Sequence, residues 1–216
     1  MATQQSLASP VTIQPDGLKG LLGLVEKPAG LVIFAHGSGS GRLSPRNNHV
    51  ANGLRHAGLA TLLIDLLTPG EEQDRANVFD IPLLASRLSG AAAWARLVPK
   101  LAGLPLGFFG ASTGAAAALL AASTDHSIGA IVSRGGRPDL AGSEALAHVE
   151  APTLLIVGSL DLTVLELNRV AMRHMRTETE LAIIPGAHHL FEEPGALDAV
   201  IDHVASWFLS RFEEMP

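Results

Sequence analysis

The pentapeptide at residues 110–114 (GASTG) holds a serine between two glycines, each two residues away. It follows the apolar run Leu106–Phe109 and precedes the alanine-rich stretch Ala115–Ala122, so it would join a strand to a helix. A serine on such a G-x-S-x-G turn is exposed at the end of the strand, and the flanking glycines leave room for neighbouring backbone. The spacing predicts Ser112 as a nucleophile, and the alternative is an ordinary glycine-rich turn.

A serine hydroxyl is a poor nucleophile without a base. In folds with this type of turn, the acid and then the histidine follow the serine along the chain. Two adjacent histidines, His188 and His189, follow the apolar run Leu181–Ile184. Either could be the base on spacing alone.

The acid that orients the histidine is expected between the serine and the base. Asp161 comes three residues after the glycine that ends the apolar segment at 153–158, and Asp139 follows an earlier strand. We favour Asp161 and keep Asp139 as the alternative. Either aspartate could instead cap a helix N-terminus.

An oxyanion formed at Ser112 needs hydrogen-bond donors. The backbone N–H of Thr113 is one candidate, and Ser38 in the glycine-rich loop at 36–41 (HGSGSG) is the second. The loop does not match a dinucleotide or nucleotide phosphate motif, because Arg42 follows it and no Gly-Lys-Ser/Thr occurs. His36 is expected to support the loop rather than to react.

Several arginines are expected at the same edge of the sheet. They are Arg42, Arg46, Arg134 and Arg137. Because arginine binds carboxylates in two-point contacts, an anionic substrate is one interpretation. The other is that these arginines brace loops by pairing with acidic side chains, of which the candidates are Asp65, Asp139 and Glu192.

The elements that must position these residues alternate between short apolar strands and helices. The predicted strands are Val11–Gln14, Gly20–Val25, Leu31–Ala35, Leu59–Asp65, Leu106–Phe109, Ile128–Ser133, Thr153–Val157 and Leu181–Ile184. The pattern predicts an α/β fold with a mostly parallel sheet, helices on both faces and no separate lid domain. We expect a single domain over residues 1–216, a loop at Glu71–Phe79, a helix capped by Asp80 and a last helix opened by Pro194.

Composition excludes several classes of protein. The 216 residues are 47% hydrophobic and 17% charged, with a net charge of −6 and no cysteine. The negative net charge and the lack of a cluster of lysine and arginine residues argue against nucleic-acid binding. The lack of cysteine excludes cysteine-bound metals. We therefore expect no cofactor and no metal. Met1–Pro10 has no signal-peptide pattern and no apolar run reaches membrane-spanning length, so a cytoplasmic location is expected.

These residues together resemble the α/β-hydrolase superfamily, and within it the dienelactone-hydrolase-like group. The resemblance rests on FAHGSGSGR, GFFGASTGAAAAL, SRGGRPDLAG, LLIVGSLDLTVLELNR and PGAHHLFEEPGAL, and similar domains also occur fused to phosphoribosyltransferases. Its Gly-x-x-His-Leu-Phe pattern implies that His189 is the base. His188 departs from the small residue usual in the family, and Ser112 departs from the usual cysteine nucleophile.

Because the nucleophile differs, the substrate of dienelactone hydrolases is not carried over to this sequence. The order of the residues and their places after the strands predict a serine hydrolase that acts on small esters or lactones through a Ser-His-Asp triad. An acyltransferase or thioesterase on the same triad is an alternative, as is a non-catalytic relative that binds a ligand. We expect a shallow or open site, in which His188 could also contact substrate. The protein is expected to be a monomer or a homodimer, with neither nucleic acid nor membrane as a partner.

Overall fold

The computed structural model describes residues 8–215. Its central feature is a single eight-stranded sheet. The strands are β1 (Ser9–Ile13), β2 (Leu18–Gly23), β3 (Leu31–Ala35), β4 (Ala60–Ile64), β5 (Leu106–Ala111), β6 (Ile128–Arg134), β7 (Thr153–Gly158) and β8 (Thr179–Ile184).

The sheet has the order β1-β2-β4-β3-β5-β6-β7-β8. β1 and β2 form an antiparallel hairpin at one edge, and β2 runs antiparallel to β4. All the pairings from β4 through β8 are parallel. The mostly parallel sheet expected from the sequence is therefore confirmed, and the carboxyl ends of six strands lie along one edge.

Helices cover both faces of the sheet. They are α1 (Pro45–His56), α2 (Arg75–Val78), α3 (Ile81–Leu97), α4 (Thr113–Ala122), α5 (Ser143–His148), α6 (Leu162–Met172) and α7 (Ala196–Glu213). Successive strand side chains point to opposite faces. In β3, Ile33 belongs to the core cluster that contains α3 and α4, whereas Phe34 belongs to the cluster that contains α1 and α7. This double coverage explains why the strand is apolar at every position.

The alanine-rich sequence of α4 allows a close approach to the sheet. Ala115, Ala116, Ala117 and Ala118 are all fully buried. Because methyl side chains take little space, the helix lies against both the strands and its neighbour α3. The start of the helix, next to Ser112, is held in place by this packing.

The expectation of a loop at 71–79 is wrong. Residues Glu71–Gln73 form a 3₁₀ turn and Arg75–Val78 form α2. Two local hydrogen bonds stabilise this charged stretch: the Glu71 carboxylate accepts from the Thr68 N–H at 2.8 Å, and the Asp74 carboxylate caps α2 by accepting from the Ala76 N–H at 2.9 Å. Local side-chain hydrogen bonds outweighed the weak apolar periodicity here.

Asp80 caps α3 as expected, since its side chain accepts from the Leu83 N–H at 2.9 Å. The last helix begins at Ala196 rather than at Pro194. Gly195, with φ of 80°, separates the proline from the helix.

Within residues 8–215, no helix combines the length and the apolar character needed to cross a membrane. The same residues contain no group of three or more histidine, aspartate or glutamate side chains placed to hold a metal ion. Of the segment expected to lack a signal peptide, Met1–Leu7 lies outside the described residues.

Candidate active site

Ser112 occupies a strained turn between β5 and α4. Its backbone has φ of 51° and ψ of −121°, in a region that residues with a side chain rarely adopt, at a cost of about 1–3 kcal/mol. Neighbouring backbone holds it there. The Ser112 N–H donates to the Arg134 carbonyl at 3.3 Å, and the Ser112 carbonyl accepts from the N–H groups of Ala115 and Arg137, both at 3.1 Å. The serine is thus fixed at the carboxyl edge of the sheet.

The two glycines of the turn are required by close backbone contacts. A methyl group on Gly114 would overlap the carbonyl groups of Ala35 and His36, and one on Gly110 would overlap the start of α4 at Ala115. The contact of Gly114 with the end of β3 also brings the loop at 36–41 next to the serine. The glycine spacing seen in the sequence therefore has a steric cause.

His189 and Asp161 form a hydrogen-bonded pair. Nδ1 of His189 lies 2.7 Å from Oδ2 of Asp161, and their side chains are 39% and 14% exposed. In the neutral imidazole this contact places the proton on Nδ1 and leaves Nε2 free to accept one. Asp161 occupies the N-cap position of α6, but its side chain makes no capping hydrogen bond. Its carboxylate is directed to the histidine instead.

Asp139, the alternative acid, lies elsewhere. Both of its carboxylate oxygens accept hydrogen bonds from the Arg137 guanidinium, at 2.8 and 2.7 Å. The arrangement fixes the turn after β6 and leaves Asp161 as the aspartate in contact with His189.

The turn after β6 lies next to both Ser112 and His189. Gly135 follows Arg134, whose carbonyl accepts from the Ser112 N–H. A Cβ on Gly135 would lie 3.5 Å from Cε1 of His189. Within residues 8–215 the Ser112 hydroxyl forms no hydrogen bond, so the Ser–His contact of a closed triad is not formed. Such contacts are often long without substrate.

His188 faces away from Asp161 and pairs with Glu193. Nδ1 of His188 lies 2.6 Å from Oε1 of Glu193, and the His188 N–H donates to the same oxygen at 3.1 Å. The His188 side chain is largely exposed. The hydrogen bond from its imidazole is the main reason that the pKa of Glu193 lies below its ordinary value. The contact between His188 and Glu193 therefore holds together the loop that follows β8.

The glycine-rich loop contacts the serine directly. A Cβ on Gly37 would come within 2.9 Å of the Ser112 Cβ. The next residue, Ser38, donates its N–H to the Thr113 hydroxyl at 3.0 Å. His36 has a supporting position, since its Nδ1 donates to the Gly37 carbonyl at 2.9 Å and its Nε2 accepts from the Leu66 N–H at 3.1 Å.

A cavity of about 620 Å³ opens beside this loop. One wall is the backbone of residues 36–40, and the other is formed by α2 and its surroundings. The apolar side chains that line it are Leu67, Val78, Phe79 and Leu84, and the charged ones are Glu72 and Arg75. The sequence interpretation missed this wall because it assigned residues 71–79 to a loop. The short capping signals at Thr68 and Asp74 could have indicated it.

Three of the four arginines expected at this edge form ion pairs. Arg42 binds Asp65, Arg46 binds Glu192 at 2.8 Å, and Arg137 binds Asp139. These are the acidic partners named as the loop-bracing alternative. Their charges are neutralised within the protein, so the structure does not favour them as anchors for an anionic substrate.

A dienelactone hydrolase of known structure from Anabaena variabilis is 53% identical in sequence to the chain. It superposes with a TM-score of 0.89, and the alignment covers 94% of this chain and 96% of that protein. The chain belongs to the dienelactone hydrolase family. The resemblance seen in the sequence and the α/β-hydrolase fold are thereby confirmed.

Other comparisons agree on the fold. Est1E from Butyrivibrio proteoclasticus, only 16% identical, superposes with a TM-score of 0.80 over 97% of this chain and 100% of its own. Curated proteins of two Mycobacterium tuberculosis strains, named as phosphoribosyl transferases, are 55% identical over 202 residues. The alignment covers 93% of this chain and 45% of each relative, so this family member spans less than half their length. No family model matches the chain.

Arg134, the fourth arginine of this dienelactone hydrolase family member, has no acidic partner among the described residues. Only 8% of it is exposed, and its Nη1 is buried without a hydrogen-bond acceptor. The guanidinium carbon lies 5.8 and 5.9 Å from the ring centres of Phe109 and Phe191. Burial, followed by the nearby charge of Arg46, lowers the pKa of Arg134 to about 10.

Replacing Arg134 by methionine is expected to raise the free energy of unfolding by about 1 kcal/mol at pH 7. A pKa that is lower in the folded chain means that folding is penalised throughout the neutral range, with relief only above about pH 10. The two aromatic contacts offset part of this penalty. Urea denaturation would measure the change, with the half-exposed Arg169, replaced as Arg169→Met, as a control expected to shift stability by less than about 0.5 kcal/mol. A loss of more than 1 kcal/mol in Arg134→Met would contradict the expectation.

Proposed function

We propose that the protein is a serine hydrolase that cleaves small carboxylic esters or lactones. The observation that carries the proposal is the His189–Asp161 pair at the same sheet edge as the strained Ser112. A histidine held by a carboxylate, here one that is only 14% exposed, is a general base with a fixed orientation. A serine on a turn of this geometry presents its hydroxyl outward, where such a base can reach it.

In the proposed reaction, the Ser112 oxygen attacks the substrate carbonyl while Nε2 of His189 takes the hydroxyl proton. Asp161 stabilises the imidazolium that results. His189 then returns the proton to the leaving alcohol as the ester bond breaks, which leaves an acyl group on Ser112. A water molecule, deprotonated by His189, then attacks this acyl group. The bond between the acyl group and the Ser112 oxygen breaks, His189 returns the proton to that oxygen, and the carboxylic acid is released.

The Thr113 N–H supports oxyanion stabilisation. It lies in the first turn of α4, where backbone N–H groups have no partner within the helix. Among the described residues it donates to no other group. It therefore remains available to a negatively charged oxygen, and the positive end of the helix dipole adds to the attraction.

The cavity beside the loop at 36–40 supports a small substrate with an apolar part. Its volume of about 620 Å³ lies within the usual range for small-molecule sites, roughly 300–1,000 Å³. The exposed ring of Phe79 and the side chains of Val78 and Leu84 would contact the acyl or alcohol group.

The names of the mycobacterial relatives suggest phosphoribosyl transfer as another activity. Because this chain aligns with only 45% of those proteins, we assign the transferase activity in their names to the part that it does not cover. Transfer of the acyl group to an acceptor other than water would use the same Ser112 chemistry, and no observation favours it over hydrolysis.

The test is a panel of chromogenic esters of increasing acyl length, with lactones and thioesters, beside an assay for consumption of phosphoribosyl diphosphate. We expect hydrolysis of short-chain esters or lactones and no consumption of phosphoribosyl diphosphate. Inhibition of turnover by a fluorophosphonate probe would support a serine nucleophile. Consumption of phosphoribosyl diphosphate without ester hydrolysis would overturn the proposal.

A further inference from the structure

We propose that the side-chain hydroxyl of Thr113 donates a hydrogen bond to the oxyanion, in the place expected for the Ser38 N–H. The inference rests on the proposed hydrolase function. Thr113 would then bind the oxyanion through two groups, its backbone N–H and its hydroxyl.

The Ser38 N–H is already engaged. Its single proton is directed at the Thr113 hydroxyl oxygen, with a nitrogen–oxygen distance of 3.0 Å. A proton used in this way is not free for a second acceptor with good geometry. The sequence predicted the Ser38 N–H as the oxyanion donor. At this position the Thr113 hydroxyl, to which that N–H is bound, takes its place.

The Thr113 hydroxyl has a proton of its own to donate. Threonine is both donor and acceptor, and within residues 8–215 its hydroxyl donates to no other group. Thr113 is 6% exposed, so its proton has little access to bulk water. A buried donor proton without an acceptor is unfavourable, and an incoming oxyanion would supply the acceptor.

The Thr113 hydroxyl takes part in a contact between the two segments beside Ser112. Thr113 follows Ser112 directly. Ser38 follows Gly37, and a Cβ placed on Gly37 would lie 3.7 Å from the Ser112 hydroxyl oxygen. The bond between Ser38 and Thr113 therefore bridges the two segments that flank the reacting atom. A hydroxyl that accepts from an N–H is also a stronger donor, because hydrogen bonds in a chain polarise one another.

The opposite possibility is that the hydroxyl only occupies the Ser38 N–H and must rotate away during catalysis. The two arrangements predict opposite effects of removing the hydroxyl. If it donates, its loss slows the reaction. If it blocks the Ser38 N–H, its loss leaves the rate unchanged or raises it.

The experiment compares Thr113→Val, which is nearly the same shape without the hydroxyl, with Thr113→Ser, which keeps it. We expect kcat for the best ester of the panel to fall by about 10²–10³ in Thr113→Val, as when an oxyanion donor is removed, with KM changed less than about threefold. Thr113→Ser should stay within about tenfold of wild type. Thr113→Ala serves as a second hydroxyl-free variant, with the same expected loss, if the valine variant does not fold.

A boronic acid that forms a tetrahedral adduct with Ser112 supplies a readout that a structural role would not move. Its affinity should fall in Thr113→Val by the same factor as kcat/KM. Thr153→Val is the matched control, since the Thr153 hydroxyl is buried and donates to the Ala151 carbonyl at 3.0 Å at the opposite end of β7. It should keep wild-type kcat and boronate affinity.

A Thr113→Val enzyme within tenfold of the wild-type kcat, or faster than it, would overturn the inference and leave the proposed hydrolase function intact. A fall in kcat without a matching loss of boronate affinity would overturn it as well. A wild-type enzyme that hydrolyses none of the esters, lactones or thioesters would overturn the function and the inference together.

Discussion

Replacing Ser112 by alanine is expected to lower kcat for ester hydrolysis by about 10⁴–10⁶. In the proposed mechanism the Ser112 oxygen attacks the carbonyl, so water would have to replace it in a site that is not arranged to activate water. The strained backbone needs no serine side chain, and the hydrogen bonds of the turn involve main-chain groups alone. The variant should therefore fold as the wild type does. Stopped or continuous ester assays at saturating substrate would measure the loss.

Ser133→Ala is a matched control for this variant. Ser133 is fully buried on the neighbouring strand, and its hydroxyl has no hydrogen-bond partner among the described residues. Its loss should change kcat less than about threefold. A fluorophosphonate probe should label the wild type and Ser133→Ala but not Ser112→Ala. Equal labelling of all three proteins would show that another residue is the nucleophile.

Replacing His189 by alanine is the second change with a large expected effect. We expect a loss in kcat of about 10⁴ or more, because the proton of the serine would have no acceptor. His188→Ala should lower kcat by less than about tenfold. Its imidazole contacts Glu193 rather than Asp161, so its loss loosens the loop without removing the base.

The assignment of His189 rather than His188 as the base can also be tested through the acidic partner of each histidine. Asp161→Asn should lower kcat by about 10⁴, since the amide favours the wrong histidine tautomer. Glu193→Gln should resemble His188→Ala. Equal losses in His188→Ala and His189→Ala would contradict the assignment, as would a larger loss in Glu193→Gln than in Asp161→Asn.

Local sequence determined much of the fold. Short runs of apolar residues such as Leu31–Ala35 predicted strands buried on both faces, and their alternation with helices predicted a mostly parallel sheet. The strand-turn-helix at Ser112 could also be predicted from the sequence. Its glycine spacing reflects the steric contact between Gly114 and the end of β3, which leaves no room for a side chain. The start of the last helix was misplaced by two residues. The charged stretch at 71–79 was misread, since its short helix depends on the Asp74 cap rather than on apolar periodicity.

The tertiary structure decided which side chains meet. His189 contacts Asp161 across 28 residues, Ser38 contacts Thr113 across 75, and Arg46 contacts Glu192 across 146. Sequence order places each of these groups at the right edge of the sheet but leaves their partners open, because the choice depends on side-chain direction and on distances of a few tenths of an ångström. For the same reason the sequence could not show that, within residues 8–215, Arg134 is the one of these four arginines without an acidic partner. Nor could it show that the Ser38 N–H is already bound.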